Sequence, residues 1–509
     1  MGEKNKYGQY MTPNIIADFM CTLVEHDKTA VCLEPSAGKG IFLSKLEKVG
    51  FRNILGFEID ETIINPNYNI RNESFVTSNL TPIYDVIIGN PPYIRWKNLE
   101  TDLKKELENS VLWKNYCNSL CDYSSIFILK SAYLLKEKGE LIFITPDYWF
   151  TTTHAKNVRN YLIENGYIKE IYHFNETPIF DKVKVSFVIF KYVKDTAKNP
   201  NISVTKYLSK QKITEQDLTE IKNKTSADAS FFDIPQFKKD EKWILVPNKD
   251  KSEIEKYETA CNTNTFGDFC RIGNGMVSGL DKAFQIKNES LLNEKENKNS
   301  INVLKAKDLN SISFGKTTKY IFLKQETDEK NFQSEYPNFS EQLAEYKTKL
   351  KNRYSYGKDL KYWEWAFLRN FNLFKTEKER IFCPCKERIT KRQRFRFSVV
   401  PPEYFPTQDV TALFKKEETK EDIRYIAALL NSKFVFKWLS NKGTRKGDII
   451  EFSEKPISSI PYRKINFSNK KEVQLHDKIV SLVNNYSTCH EETIFQNIDE
   501  CFEQLFIIK

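Results

Sequence analysis

The stretch Leu33-Glu34-Pro35-Ser36-Ala37-Gly38-Lys39-Gly40 decides the fold of this chain. It lies between a predicted strand and a predicted helix that begins at Ile41. Glycine lets the backbone approach a ligand closely, with the N-terminus of the helix directly behind it. The next predicted strand ends in Gly56-Phe57-Glu58-Ile59-Asp60, and an acid at that place can bind two ribose hydroxyls. The pattern indicates a nucleotide-type site, with an ordinary strand–turn–helix as the alternative.

Strands and helices alternate on both sides of this turn. Runs rich in Val, Ile and Phe predict strands at Ala30–Leu33, Ile54–Ile59, Tyr84–Gly89, Glu140–Thr145 and Val185–Tyr192. Apolar residues at three- and four-residue steps predict helices at Ile126–Lys136 and Ala155–Asn165, the second ending at a C-cap glycine, Gly166. This alternation predicts an α/β fold, in which a parallel or mixed sheet carries helices on both faces.

The predicted strand Tyr84–Gly89 runs directly into Asn90-Pro91-Pro92-Tyr93. Proline lacks an N–H group and has a fixed φ, so this turn is stiff and its carbonyls are free. The side-chain carbonyl of Asn90 and the backbone carbonyl of Pro91 can both accept from one planar amine, which aims its lone pair at an electrophile. Tyr93 offers an aromatic face to the ring that carries the amine. A rigid strand cap is the alternative, but open α/β sheets bind ligands at this end of a strand.

The composition describes a folded chain without a membrane anchor. Of its 509 residues 40% are apolar and 14% aromatic, which excludes a disordered chain. No apolar run reaches the ~18 residues that span a bilayer, and the ten cysteines are scattered. We therefore expect an intracellular, cytoplasmic protein without a metal site. The net charge, 78 − 68 = +10, suits a nucleic acid partner, although compositional bias produces the same excess.

At these residues the chain resembles the TaqI-like (gamma-class) DNA adenine-N6 methyltransferases, which use S-adenosylmethionine. Gly8-Gln9-Tyr10-Met11-Thr12-Pro13 looks like the cofactor motif that precedes the glycine turn in this class. The resemblance implies a Rossmann-like methyltransferase domain, a mixed sheet with helices on both faces, followed by a target-recognition domain of mixed α/β character. It implies that S-adenosylmethionine is bound by Thr12, Glu34, Pro35, Ala37, Gly38, Gly40, Glu58, Glu73, Ser74, Phe75 and Phe127. Thr12 would face its methionine end and Glu58 its ribose.

The resemblance also assigns the chemistry to the proline turn. Its catalytic residues would be Asn90, Pro91, Pro92 and Tyr93. Asn90 and Pro91 would bind the target amine, and Tyr93 would stack on the flipped adenine. Asn at the first position suits adenine, since the amino-cytosine enzymes typically carry Ser there.

The resemblance also suggests roles for two aromatic residues and for the position just before Phe75. Phe180 matches an aromatic that contacts the extruded base, and Phe127 matches one that packs on the cofactor adenine; a place in the core is the alternative for each. The family has an acid just before a Phe to bind the amine of the cofactor adenine. Here that place falls on Ser74, preceded by Glu73 and followed by Phe75. Either Glu73 serves or a hydroxyl replaces the carboxylate.

The C-terminal half carries the densest basic segments, and the resemblance places DNA recognition there. We expect a catalytic domain over residues 1–240 and a DNA target-recognition domain over residues 241–509. Cations alternate with aromatic residues between Lys386 and Phe397, which suits phosphate contacts and base reading. Solvated strand faces are the alternative. The candidate DNA contacts are Arg388, Lys391, Arg392, Arg394, Arg396, Lys442, Arg445 and Lys446.

The resemblance implies a site-specific enzyme that methylates N6 of an adenine flipped out of double-stranded DNA. Such an enzyme is the modification half of a restriction-modification system, so we expect a separately encoded cognate restriction endonuclease as its functional partner. We expect the enzyme itself to be a monomer. The alternatives are methylation of RNA adenine or of a protein glutamine, whose amide presents the same planar amine, and a DNA-specificity module without catalysis.

Overall fold

The computed structural model describes residues 7–180, 185–323, 328–357, 359–489 and 493–508. The chain forms two units, Met1–Asn248 and Lys249–Lys509. The division follows Asn248 rather than residue 240 because Trp243 still belongs to the first unit. Its side chain is 1% exposed, and its ring stacks on Phe237 with the centroids 4.8 Å apart. Burial of so large an apolar ring keeps this segment with the first unit.

The first unit is built around a mixed sheet. Its strands are β1 (Val31–Glu34), β2 (Asn53–Glu58), β3 (Ile70–Asn72), β4 (Tyr84–Gly89), β5 (Leu135–Pro146), β6 (Tyr167–His173), β7 (Phe187–Val193), β8 (Ile202–Tyr207) and β9 (Ala229–Ile234). Within the described residues the strand order is β3-β2-β1-β4-β5-β7-β6-β8-β9. β1 is parallel to β2 and β4, β4 is parallel to β5, and β7 is antiparallel to β5 and β6. The predicted mixed sheet is confirmed.

Helices cover both faces of this sheet, as predicted. They are α1 (Asn14–Cys21), α2 (Ile41–Lys48), α3 (Thr101–Asn109), α4 (Val111–Tyr116), α5 (Ser124–Leu134), α6 (Lys156–Asn165) and α7 (Glu215–Lys222). Successive side chains of a strand point to opposite faces. In β4, Ile87 belongs to one apolar core with Ile126, and Val86 and Ile88 belong to another with Phe42. Helices α3 to α6 contribute to the first core, and α1, α2 and α7 to the second.

The sequence pattern misses β3, β6, β8 and β9. In β9 only Ile234 is buried, so this edge strand lacks the apolar run that predicts a strand. Gly166 ends α6 as predicted, but not as a left-handed cap, since its φ of 169° is extended. A Cβ on Gly166 would lie 2.2 Å from the carbonyl oxygen of Val193. Close packing against β7, rather than backbone conformation, therefore requires glycine there.

The second unit combines helices with smaller sheets, in agreement with the predicted mixed α/β character. Its helices are α8 (Asn248–Cys261), α9 (Phe266–Phe269), α10 (Asp281–Phe284), α11 (Glu294–Lys298), α12 (Glu329–Glu335), α13 (Pro337–Ala344), α14 (Lys347–Lys351), α15 (Phe371–Phe374), α16 (Ile423–Leu430), α17 (Lys433–Lys442), α18 (Glu454–Ser458), α19 (Lys470–Cys489) and α20 (Thr493–Ile507). Its strands are β10 (Cys270–Asn274), β11 (Ser300–Leu304), β12 (Thr318–Ile321), β13 (Arg380–Pro384), β14 (Lys386–Arg388), β15 (Ser398–Val400), β16 (Tyr404–Pro406), β17 (Val410–Lys415), β18 (Arg445–Lys446) and β19 (Ile449–Glu451). In the described part of the chain, no helix is long and apolar enough to span a membrane.

Candidate active site and cofactor pocket

The predicted site residues meet at one edge of the mixed sheet. Because β1, β2, β4 and β5 are parallel, their carboxyl ends share that edge. Glu34 ends β1, Glu58 ends β2, and Asn90 directly follows β4. Open α/β sheets bind ligands outside the carboxyl ends of their strands. The topology thus brings together residues that are far apart in the sequence.

Two glycines shape the turn between β1 and α2. Gly38 and Gly40 have φ angles of 55° and 82°, in the left-handed region that other residues rarely adopt. A Cβ on Gly40 would also lie 2.5 Å from the ring of Tyr68. The backbone N–H of Ala37 donates to the carbonyl of Phe57 at 2.7 Å, which ties the turn to β2.

The carboxylate of Glu58 is oriented by backbone donors on both of its oxygens. Oε2 accepts from the N–H of Gly38 at 2.8 Å, and Oε1 accepts from the N–H of Asp60 at 2.9 Å. Each carboxylate oxygen keeps a further lone pair for a hydroxyl donor. The arrangement fits the adjacent hydroxyls of a ribose.

Glu34 is a second, more deeply buried acid at this edge. Its side chain is 1% exposed, and its Oε2 has no hydrogen-bond partner within the described residues. Burial, and after it the charge of Glu58, raise the pKa of Glu34 well above its ordinary value. An unsatisfied buried polar atom costs about 1–3 kcal/mol. The shift favours the protonated form of Glu34, and a ligand at the turn can supply the partner that its Oε2 lacks.

A pocket opens beside the glycine turn. Its wall consists of Tyr7, Gln9, Pro35, Ser36, Phe57, Glu58, Ile59, Glu73, Ser74, Phe75, Pro92, Leu103, Tyr123 and Phe127. The rings of Phe75 and Phe127 lie 5.4 Å apart, and Tyr123 packs edge-on against Phe127 at 5.3 Å. An oriented acid beside a slot of aromatic rings has the chemistry of a nucleoside site, ribose at the acid and base in the slot.

The pocket contains many of the predicted cofactor residues. Those in its wall are Pro35, Glu58, Glu73, Ser74, Phe75 and Phe127. Ala37, Gly38 and Gly40 shape the turn beside it. Thr12 is predicted at the cofactor, whereas the structure places its hydroxyl against Asn90. The sequence pattern does not identify Tyr123, because an aromatic residue just before an apolar helix looks like a core residue.

Thr12 and Tyr10 orient the side-chain amide of Asn90. Its Nδ2 donates to the backbone carbonyl of Tyr10 at 2.9 Å and to Oγ1 of Thr12 at 3.1 Å. With the nitrogen bound there, Oδ1 points the opposite way and accepts from the hydroxyl of Tyr93. That hydroxyl also lies 2.5 Å from the carbonyl oxygen of Ile144. Burial raises the pKa of Tyr93 well above its ordinary value, so the phenol stays protonated.

Aromatic rings surround the proline turn. Tyr10 stacks on Tyr93 with centroids 6.0 Å apart and planes at 28°, and its edge faces Phe180 at 6.2 Å. Phe180 in turn contacts Phe187 at 4.7 Å. Phe180 is 5% exposed, whereas Tyr10 is 40% exposed. The sequence predicts Phe180 at this place but misses Tyr10, whose place beside Tyr93 only the fold reveals.

Two candidate arginines in the basic stretch of the second unit are held by strong internal hydrogen bonds. Arg394 donates to Asp499 at 3.1 Å and to the carbonyl of Asn431 at 3.0 Å. Arg396 donates to Glu387 at 2.7 Å and to the carbonyl of Ala306 at 3.0 Å. Both guanidinium groups therefore stabilise the second unit, which argues against the predicted DNA contacts at these two positions. The other candidates of this stretch, Arg388, Lys391 and Arg392, are exposed, and the guanidinium group of Arg388 lies 3.5 Å from the carboxylate of Asp448.

The second basic cluster gives a similar correction at Lys442. Its amine donates to both carboxylate oxygens of Glu258, at 2.6 and 2.8 Å, so its charge is balanced within the unit. Arg445 and Lys446 form β18. Their side chains lie outside the described residues.

Comparison with known proteins gives a family match in the first unit and relatives that span the whole chain. Residues 25–180 match the family described as Eco57I restriction-modification methylase. The chain is 46% identical to the type II methyltransferase M.HindII of Haemophilus influenzae (strain ATCC 51907 / DSM 11121 / KW20 / Rd), with 99% of this chain and 98% of that protein covered. It is 45% identical to M.HincII of Haemophilus influenzae, with the same coverage.

A solved structure shows that the fold extends over both units. The type IIL restriction-modification enzyme MmeI, solved in complex with DNA, superposes with a TM-score of 0.59 at 11% identity, covering 97% of this chain and 72% of that one. The relatives at 46% and 45% identity assign the family, and the similarity to MmeI supports the fold. The chain belongs to the type II restriction-modification DNA methyltransferases, whose methyl donor is S-adenosyl-L-methionine.

Proposed function

We propose that this chain methylates N6 of an adenine extruded from double-stranded DNA. The orientation of Asn90 carries the proposal. Its Nδ2 is bound by Tyr10 and Thr12, which leaves Oδ1 to act as an acceptor. This oxygen and the backbone carbonyl of Pro91 lie at one stiff turn, and a planar amine has two hydrogens that need acceptors. The exocyclic amine of adenine is such a group.

The residues of the pocket fit the methyl donor. Glu58 presents an oriented carboxylate for the ribose, and Phe75 and Phe127 provide an apolar slot for the base. The Oε2 of Glu34, which has no hydrogen-bond partner within the described residues, adds a buried polar atom at the turn. When bound, S-adenosyl-L-methionine supplies a methyl group on a positively charged sulfur, which is already an activated leaving group.

Ser36 links the cofactor pocket to the proline turn. It lines the pocket, and its Oγ donates to the backbone carbonyl of Asn90 at 3.1 Å. Asn90 and Pro91 accept the two N–H groups of the target, which directs the nitrogen lone pair toward the methyl group. The hydroxyl of Tyr93 releases Oδ1 of Asn90 when the amine binds. Because the leaving group is activated in advance, positioning contributes most of the acceleration.

The aromatic residues at the turn hold the extruded base. Extrusion costs a few kcal/mol, and stacking on an aromatic ring returns about 1–3 kcal/mol per base. Tyr93 supplies the stacking face. Phe180 and Tyr10 bound the same space, since both rings contact one another beside Tyr93.

The second unit, residues 249–509, recognises the DNA site in this proposal. Its exposed Arg388, Lys391 and Arg392 contact phosphates, in keeping with the net charge of +10. Similarity to M.HindII and M.HincII over the whole chain supports a role as the modification half of a restriction-modification system. We propose that the enzyme acts as a monomer and that a separately encoded endonuclease is its functional partner.

A methyl-transfer assay on three substrates tests this function. The purified chain is incubated with S-adenosyl-L-methionine labelled on the methyl group and with duplex DNA, structured RNA or a glutamine-containing protein. We expect label in the duplex DNA alone, recovered as N6-methyl-2′-deoxyadenosine after digestion to nucleosides. Sequencing of the methylated positions then identifies the recognition site.

Replacement of the amide ties this activity to the proline turn. Asn90→Ala should lower methyl transfer by at least about a thousandfold, the scale of a lost electrostatic contact in the transition state. Calorimetry should show nearly unchanged affinity for S-adenosylhomocysteine. Asn98→Ala, an exposed position in the segment after the turn, is the matched control. Label in RNA, in protein or in a cytosine would overturn the proposal, as would near-normal transfer by Asn90→Ala.

A further inference from the structure

Ser74 and Glu106 form a polar contact at the wall of the cofactor pocket. The Oγ of Ser74 donates to Oε2 of Glu106 at 2.5 Å. Ser74 belongs to the pocket wall, whereas Glu106 lies on α3 behind it. The carboxylate therefore acts on the pocket through the hydroxyl of Ser74.

Tyr123 completes this network. It also belongs to the pocket wall, and its hydroxyl interacts with the Ser74 side chain. Burial, followed by the charge of Glu106, raises the pKa of Tyr123, while the hydrogen bond with Ser74 opposes the shift. The phenol stays protonated. Two hydroxyl groups thus converge near one carboxylate beside the aromatic slot of Phe75 and Phe127.

Glu73, the other acid of the pocket wall, is less suited to bind a ligand. Its carboxylate lies 4.0 Å from the guanidinium group of Arg71, and its side chain is 47% exposed. Solvent and a neighbouring cation therefore compete for it. Ser74 is half-buried and has a fixed hydrogen-bond direction, because its only proton points to Glu106.

The base of the cofactor has a polar edge that needs such a group. An adenine ring in the slot carries an exocyclic amine, and a buried N–H without an acceptor costs about 1–3 kcal/mol. A hydroxyl whose proton is donated to a carboxylate is a stronger acceptor, since hydrogen bonds in series polarise one another. We infer that the Ser74 hydroxyl, oriented by Glu106, accepts a hydrogen bond from the amine of the cofactor adenine.

Glu106 is a positioning residue in this inference, because it acts through Ser74. The inference rests on the family's methyl donor and not on the proposed target, adenine N6. It can therefore be tested by binding alone. A pair of ligands that differ at the amine gives the direct readout: S-adenosylhomocysteine carries the amine, and S-inosylhomocysteine carries a carbonyl oxygen in its place.

Calorimetric titration of the full chain with both ligands tests the inference. We expect the unaltered chain to prefer S-adenosylhomocysteine at least tenfold. Ser74→Ala and Glu106→Ala should each reduce that preference at least fivefold, and the double variant should lose no more than the stronger single variant. Glu106→Gln should lose less, since its amide oxygen still accepts from Ser74. Glu108→Ala, an exposed acid on the same helix, should behave as the unaltered chain.

A rescue separates positioning from structural support. Ser74→Asp in the Glu106→Ala background places a carboxylate directly at the wall and should restore the preference. If Glu106→Ala lowered the affinity for both ligands equally, Glu106 would be merely structural and the inference would be overturned. An unchanged preference for S-adenosylhomocysteine in that variant would overturn it as well. If the unaltered chain bound neither ligand, the cofactor assignment itself would fail. Absence of methylation on DNA, with ligand binding intact, would refute only the proposed function.

Discussion

Glu34 illustrates how burial sets the chemistry of a single residue in this enzyme. The acid ends β1, beside the turn that bounds the cofactor pocket, and its pKa lies well above the ordinary value of 4.5 because burial removes it from water and Glu58 lies nearby. The folded chain therefore holds the proton of Glu34 to a higher pH than the unfolded chain does. Stability contributed by this protonation is complete below the ordinary pKa and is lost as the pH rises toward the folded-state value.

Replacement of this acid by its neutral isostere gives a pH-dependent prediction. Glu34→Gln resembles the protonated acid and cannot ionise, so its free energy of unfolding should increasingly exceed that of the unaltered chain as the pH rises above 4.5, the ordinary pKa of the acid. Urea unfolding at several pH values measures the difference. Glu47→Gln, at an exposed position on α2, should show a small and constant difference. A constant difference for Glu34→Gln as well would contradict the raised pKa.

Tyr10 has two separable roles at the active site. Its backbone carbonyl binds the amide of Asn90, while its ring stacks on Tyr93. Tyr10→Ala removes the ring and keeps the carbonyl, so kcat/KM for duplex DNA should fall about 10- to 100-fold, the loss expected for one stacked base. Tyr10→Phe should retain activity.

Steady-state kinetics on a mapped DNA substrate, with calorimetry of S-adenosylhomocysteine, checks the Tyr10 prediction. Cofactor affinity should be unchanged in both variants, since Tyr10 does not line the pocket. If the activity of Tyr10→Ala stayed within twofold of that of the unaltered enzyme, the ring of Tyr10 would not contact the target base.

Helix α5 supports the cofactor pocket through Lys130, one turn after Phe127 on the same face of the helix. Lys130 donates to the backbone carbonyls of Phe75 and Ser78, both at 2.6 Å, and to that of Val76 at 3.1 Å. Burial lowers its pKa to about 8. One amine thereby holds the segment that presents Phe75 to the pocket.

Removal of that amine should weaken the support of the segment that presents Phe75 to the pocket. Lys130→Met keeps the aliphatic length and loses the hydrogen bonds, so we expect the free energy of unfolding to fall by about 2 kcal/mol. Affinity for S-adenosylhomocysteine should fall about tenfold, because Phe75 loses its support. Denaturant unfolding and calorimetry measure the two effects. Lys114→Met, an exposed lysine on α4, is the control; equal behaviour of both variants would disprove the supporting role.

For the whole molecule, the net charge of +10 matters only where it is exposed. Arg394 and Arg396 are used inside the second unit, and Lys442 is paired with Glu258. Lys391 and Arg392 remain at the surface. Counterion release by exposed cations weakens DNA binding linearly with the logarithm of salt concentration.

Two pairs of charge reversals test whether DNA binding depends on the position of the positive charges or only on the total net charge. The first pair is Lys391→Glu with Arg392→Glu, and the second is Lys198→Glu with Lys242→Glu. Each substitution lowers the net charge by 2, so either pair lowers it from +10 to +6. The first pair should weaken binding to duplex DNA and lower the salt slope by about 2. The second pair, exposed in the first unit, should change neither by more than a small amount. Equal effects would mean that only total charge matters.

Local chemistry makes part of this architecture predictable. The glycine turn, Glu58 and the proline turn each follow a predicted strand, and parallel strands place such positions at one edge. Apolar runs identified β4 and β5, whereas β9, with a single buried side chain, offered no pattern. The boundary at Asn248 depends on the burial of Trp243, which a linear pattern does not show.

The sequence by itself determined the fold class, the order of the motifs and the residue types that could do chemistry, because these depend on local periodicity and on groups adjacent along the chain. The tertiary structure decided how those groups are used. It placed Tyr10 on Tyr93, set Glu106 behind Ser74 and turned Arg394 inward. Each of these contacts joins residues distant in the chain, and whether a side chain meets solvent or a partner depends on what packing brings beside it.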